Sequence, residues 1–214
     1  MTIDLARVRT RLRVRTLPEG GRDVVEANAR LTATTAVVLL VLFAAELTTV
    51  LLGARSVLTA HVVVGLILVP PVLLKIASTS WRMLGYYRGD AAYREKGPPA
   101  LALRILGPFF VFLTVLVLGS GAGLVLTPHN LHSSFLIIHK ASFYPWLATL
   151  LIHVAVHAKG MVRGAAAEGF RRTRIEAGAR RRQLAVAGSV LVGGGLALAL
   201  AQVAETYLRL YPHK

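Results

Sequence analysis

The chain has 214 residues, 55% of them hydrophobic, a mean hydropathy of +0.60, a formal net charge of +15 and no cysteine. This is too apolar for an ordinary soluble domain, and the apolar residues come in blocks long enough to cross a bilayer. The missing cysteine excludes disulfides, thiolate-bound zinc, iron–sulfur clusters and covalently attached c-type haem.

Residues 1–30 form a polar arm with no apolar h-region, so no signal peptide is expected. Its segment RVRTRLRVR (7–15) places Arg at every second position. The arm reads as a solvated cytoplasmic tail that fixes topology, or as a dock for anionic lipid or a partner. Leu17-Pro18-Glu19-Gly20-Gly21 reads as a turn. A first span is expected over residues 31–52. Its one charge is Glu46, for which Arg55 just beyond is a candidate partner in an interfacial salt bridge; a role in quinone or proton handling is the alternative.

A second span is expected over 57–78, joined to the first by so short a loop that the two form an antiparallel hairpin. It carries His61 about one turn inside, with Gly65 one turn later on the same face, where a flat macrocycle has room to approach the backbone. Pro70 and Pro71 should kink it. Lys75 lies 14 residues after His61. The connection 79–104 is basic and aromatic; Trp81, Tyr86 and Tyr87 suit a membrane interface, with Arg82 and Arg88 snorkelling beside them.

A third span, 105–127, contains Gly107, Gly119, Gly121 and Gly123, which allow close helix contact or room for a bulky cofactor. The loop TPHNLHSS holds His129 and His132, weak evidence for a surface metal site. The fourth span, 134–157, carries His139 near one end and His153 and His157 near the other. The 14-residue step from His139 to His153 leaves the two rings about 40° apart around the axis and about 21 Å apart along it. A second basic connection follows, and then a fifth span, 184–204, of Ala, Val, Leu and Gly that reads as packing material; residues 205–214 form a tail.

Lys and Arg number seven in the arm, six from Lys75 through Arg104 and eight from Lys159 through Arg182; the opposite side has only Arg55, Lys140, Arg209 and Lys214. The positive-inside rule places the N-terminus and both basic connections in the cytoplasm, and the C-terminus outside the cell membrane. The excess charge then faces the cytoplasmic leaflet, and nucleic acid is not needed to explain it. The expected fold is an all-α integral membrane bundle of five helices, four of them forming a core, with the second and fourth adjacent through their histidine faces.

In this topology spans two and four both enter from outside, with His61 and His139 each five or six residues in. The rings are expected at one level, where two imidazoles on different helices can clamp a haem b iron from both faces. Arg55 and Lys140 at the same rim are candidates to neutralise haem propionates, or ordinary interfacial anchors. At the inner level the candidates for a second haem are His153, backed by His157, and Lys75 in place of a second histidine. More often such a lysine snorkels. The plain alternative for every histidine is hydrogen bonding between helices.

The arrangement resembles the bacterial membrane cytochrome b proteins, a group that includes the haem-carrying subunits of formate dehydrogenase and nickel-iron hydrogenase. The His139 and His153 spacing is similar to that of di-haem cytochromes b and ferric-reductase-like domains. HVVVGLILVPPVLLKIASTSWRMLGYYRGDAAYREKGPP and HKASFYPWLATLLIHVAVHAKG are similar to an actinobacterial set of cytochrome-b-like membrane proteins. The resemblance covers about residues 57–160 and departs at Lys75, where a di-haem pattern has histidine. Two functions are therefore expected as alternatives. One is a haem b protein passing electrons between a quinone pool and a partner redox protein, more an electron-transfer subunit than an enzyme by itself. The other is a haem-free membrane scaffold or small transporter.

Overall fold

In hydrocarbon every backbone N–H and C=O must find its partner within the chain, and the helix does this locally. The computed structural model describes residues 19–95, 97, 101–127, 129–170 and 178–210. These form α1 (Glu19–Leu51), α2 (Leu58–Arg88), the short α3 (Ala91–Glu95), α4 (Leu101–Leu126), α5 (His129–Phe170) and α6 (Ala179–Leu210). All but α3 are long and apolar enough to cross a bilayer, which makes the chain an all-α, multi-pass membrane protein. Exposed Val41, Ile137, Leu151, Leu191 and Leu198 line the outer surface, as lipid contact requires. The alternating-arginine arm, Pro98-Pro99, Pro128, the RRTR run and the last four residues lie outside the described residues.

The helices outrun the apolar blocks that announce them. The first begins at Glu19, inside the expected turn; α2 continues ten residues past Ser78 to Arg88; α5 begins at His129, within the expected TPHNLHSS loop; α6 carries the expected tail as far as Leu210. The cause is that hydrogen-bond propagation does not stop at the hydrocarbon edge. Ala, Glu, Arg and Leu sustain a helix in the headgroup region as well. The 42 residues of α5 make a rod of about 60 Å at about 1.5 Å per residue, roughly twice a bilayer's hydrocarbon thickness.

Two glycines in the left-handed region make the tight turns. Gly53 (φ 84°) allows the 52–57 turn, where the Ser56 hydroxyl donates to the Leu52 and Gly53 carbonyls. Gly89 (φ 86°) ends α2: its N–H donates to the Tyr86 carbonyl and that of Asp90 to the Gly85 carbonyl. Asp90 Oδ1 then accepts the Ala92 N–H at 3.0 Å, starting α3. Tyr93 of α3 packs so closely on Gly85 that a Cβ there would lie 2.6 Å from its ring.

The four-helix core is a ring in the order α1, α2, α4, α5. Extensive contacts join α1 to α2, α4 to α5 and α5 to α1, with a lighter α2–α4 contact closing the ring. The second and fourth spans, α2 and α5, are thus diagonal partners, not packed neighbours. Only side chains reach across between them. Outside the ring, α6 packs along α2. Pro71 removes the N–H that the Ile67 carbonyl would accept in a regular helix. Gly193 of α6 meets that exposed backbone: a Cβ on it would lie 2.5 Å from Ile67 O. The helix runs unbroken through Pro70 and Pro71.

Candidate functional site

Along the bundle axis the polar side chains fall into levels. The level nearest the 52–57 turn holds His61 of α2 and His139 of α5. Their ring centroids are 6.1 Å apart and their planes nearly perpendicular, at 81°. Both side chains are mostly buried. The rings meet across the diagonal of the bundle, so the shared level expected from the topology is present, carried by side chains alone.

Each imidazole is held by its Nδ1, and the proton inventory can be worked out. His61 Nδ1 is 2.8 Å from Thr49 Oγ1 and 3.1 Å from Glu46 Oε1, both on α1. The Thr49 hydroxyl donates its own hydrogen to the Glu46 carbonyl at 2.6 Å, so toward His61 it can only accept. A proton on His61 Nδ1 gives the Thr49 and Glu46 oxygens a donor in common. His139 Nδ1 is 2.9 Å from the Val117 carbonyl, an acceptor only, and 3.3 Å from Ser120 Oγ, whose hydrogen is committed to the Leu116 carbonyl at 2.6 Å. It is protonated at Nδ1. In both neutral rings a proton on Nδ1 leaves the lone pair at Nε2, which has no hydrogen bond among the described residues.

Glycines make this level possible, in places the sequence reading only partly anticipated. A Cβ on Gly121 of α4 would lie 3.0 Å from His139 Cε1, so this glycine admits the ring. At Gly65 the nearest atom to such a Cβ is Glu46 Oε1 at 3.4 Å. The room at Gly65 is taken by the carboxylate that reaches His61. Arg55 is exposed in the turn and Lys140 is exposed beside His139. Glu46 pairs with His61, not with Arg55, because α1 turns its carboxylate into the hairpin interface.

The middle level is a closed apolar and aromatic plug. Trp146 of α5 is 4% exposed, meets Phe43 of α1 edge-on at 5.1 Å, and donates its indole N–H to Thr114 Oγ1 of α4 at 3.1 Å. Leu39, Leu68, Val72, Leu113, Val117 and Leu150 complete it.

Below the plug lies the inner level. The Lys75 amine donates to the Thr32 carbonyl of α1 at 2.7 Å. Asn28 and Thr32 also bond Ser78, so this group ties α1 to α2. His153 stacks on Phe110 of α4 at 4.9 Å, and His157 follows at 4.6 Å from His153, itself exposed. The described contacts do not pair these histidines with a second imidazole on another helix. His132 has a partner, and the His129 side chain lies outside those described.

Sequence reasoning did not connect Glu46 and Thr49 to His61. The signal was available: counting outward from the 52–57 turn along both arms of the hairpin sets Glu46 and Thr49 opposite His61. No family model matches this chain, and neither a curated protein nor a solved structure matches it.

Proposed function

We propose that the chain is a membrane haem b protein that binds one haem between His61 and His139 and passes electrons between a quinone pool and a partner redox protein. The observation that carries this reading is the pair of Nδ1-anchored imidazoles, from α2 and α5, whose rings meet across the bundle. His61 and His139 would hold the iron through their Nε2 lone pairs, one from α2 and one from α5. The rings stand at 6.1 Å. Two nitrogen donors are also the complement that a macrocycle supplying four nitrogens requires. The Nδ1–H hydrogen bonds are the outer contacts that fix tautomer and orientation in metal-binding histidines.

Bound haem supplies one-electron exchange. The chain's own residues orient the two imidazoles, exclude water through the Trp146 plug, and offer Arg55 and Lys140 at the rim as counter-charges for propionates. Lys75 is engaged by Thr32 and His153 by Phe110, which favours one haem over two. The charge asymmetry of the connections supports an N-terminus in the cytoplasm and a C-terminus outside the cell membrane.

A second reading, a haem-free scaffold or small transporter, is favoured by one observation: each histidine already bonds a neighbouring helix, α1 or α4. The absorption spectrum of the purified chain separates the two. The haem reading expects a sharp reduced α-band of six-coordinate low-spin haem b and a haem-to-protein ratio near one. A chain purified from haem-replete cells that shows no such band and takes up no added haemin defeats it.

A further inference from the structure

The seam between α2 and α5 does not end at the histidine pair near the 52–57 turn. The two helices run in the same direction, so a step of 14 residues along each leads from His61 and His139 to Lys75 and His153. One turn further along α5 comes His157, its ring centroid 4.6 Å from that of His153. Arg82 follows Lys75 by 7 residues on α2. The charge of Lys75 reaches both imidazoles, and that of Arg82 reaches His157. Four nitrogen-bearing side chains thus converge at one end of the bundle, the end at which the two basic connections lie.

Among the described residues no carboxylate forms an ion pair with any of the four. The Lys75 amine donates one N–H to the Thr32 carbonyl at 2.7 Å, a neutral acceptor that fixes its position and leaves its other N–H groups for a ligand. The Phe110 ring braces His153 at 4.9 Å. Arg82 supplies a charge that persists at every cellular pH. The amine and both imidazoles present N–H donors in either protonation state. Such a cluster suits an anion with several acceptor oxygens, which is the chemistry of phosphate.

Depth points to the source of that phosphate. Lys75 and His153 are half-buried within the spans, while Arg82 and His157, nearer the helix ends, are exposed. Exposed Leu73 and Val156 flank the cluster on the same helices with apolar surface, as an acyl chain requires. Exposed Trp81 and Tyr87 sit beside Arg82 as headgroup-level aromatics. Basic pockets between helices at a membrane face are the sites that take anionic headgroups.

We propose that Lys75, Arg82, His153 and His157 bind the headgroup phosphate of an anionic phospholipid in the leaflet at this end of the bundle. The site involves neither His61 nor His139 and stands independently of the haem reading.

The test titrates the full-length chain, delipidated in neutral detergent, with phosphatidylglycerol or phosphatidylcholine and counts lipid retained per chain by native mass spectrometry. Phosphatidylglycerol should bind saturably and roughly tenfold more tightly than phosphatidylcholine. Arg82→Gln, at an exposed position that folding does not depend on, should weaken it about fivefold. His157→Ala, also exposed, should weaken it in the same direction. Arg88→Gln removes the same charge from the exposed last turn of α2 and should change binding by less than about twofold. Equal binding of the two lipids, or equal losses in Arg82→Gln and Arg88→Gln, would reduce the cluster to general surface attraction and overturn the proposal. Displacement of phosphatidylglycerol by excess inorganic phosphate would overturn the lipid assignment in favour of a free anion.

Discussion

His61 and His139 meet ring to ring at 6.1 Å although their helices are diagonal in the bundle, and each is anchored to a different neighbour. The anchors are side-chain to side-chain on α1 and side-chain to main-chain on α4. On the haem reading, removing either imidazole would leave one nitrogen donor for the iron, too few for six-coordinate low-spin haem. His61→Ala and His139→Ala should each abolish the low-spin haem signal, measured as haem per protein after detergent purification. Full haem content with an unchanged spectrum in either variant would falsify the pairing.

Gly121 gives an independent probe of the same level, because a Cβ there would stand 3.0 Å from His139 Cε1. A bulkier side chain must push the ring away from its Val117 anchor. Gly121→Val should lose most of the haem while the chain still inserts and folds, read as haem ratio against the far-ultraviolet helix signal. Haem retention equal to wild type would show that His139 does not depend on this approach.

The inner level should be silent. His153→Ala and Lys75→Ala should leave the haem-to-protein ratio near one, since the Lys75 amine is engaged by Thr32 and the His153 ring by Phe110. A wild-type ratio near two that halves in both variants would instead place a second haem there, with histidine and lysine as its ligands.

Trp146 fills the centre of the bundle, and its truncation removes both packing and the bond to Thr114. Large-to-small changes of this kind cost about 3–5 kcal/mol in soluble cores. Trp146→Ala should lower the thermal unfolding midpoint in detergent by many degrees. Thr114→Val, which keeps the shape but loses the bond from Trp146 and the hydroxyl's own bond to the Phe110 carbonyl, should cost about 0.6 kcal/mol for each and shift it less. Equal shifts for the two would mean that packing at this level contributes little.

Gly193 holds α6 against the backbone of Ile67, where even a methyl group would stand 2.5 Å from the carbonyl oxygen. Overpacking of this kind costs about 1–3 kcal/mol. Gly193→Ala should therefore lower the unfolding midpoint, whereas Gly194→Ala, with open space around it, should not. A cross-link between α2 and α6 through paired cysteines should form less readily in the first variant than in the second.

The sequence by itself determined the number of spanning helices, the α1–α2 hairpin and the common level of His61 and His139. These follow from quantities that need no tertiary information: the length that crosses a bilayer, the rise per residue and the alternation of basic connections. Helix ends were less legible, since α2 and α5 continue where apolarity stops but hydrogen bonding does not. What the tertiary structure decided was rotation and pairing. Whether Glu46 reaches Arg55 or His61, whether Lys75 faces a cofactor or the Thr32 carbonyl, and which glycine admits a ring depend on how each helix turns about its own axis. Helices that are apolar nearly all round carry little signal for that angle. It is set by side-chain packing between helices far apart in the chain, such as Trp146 against Phe43 and Gly193 against Ile67.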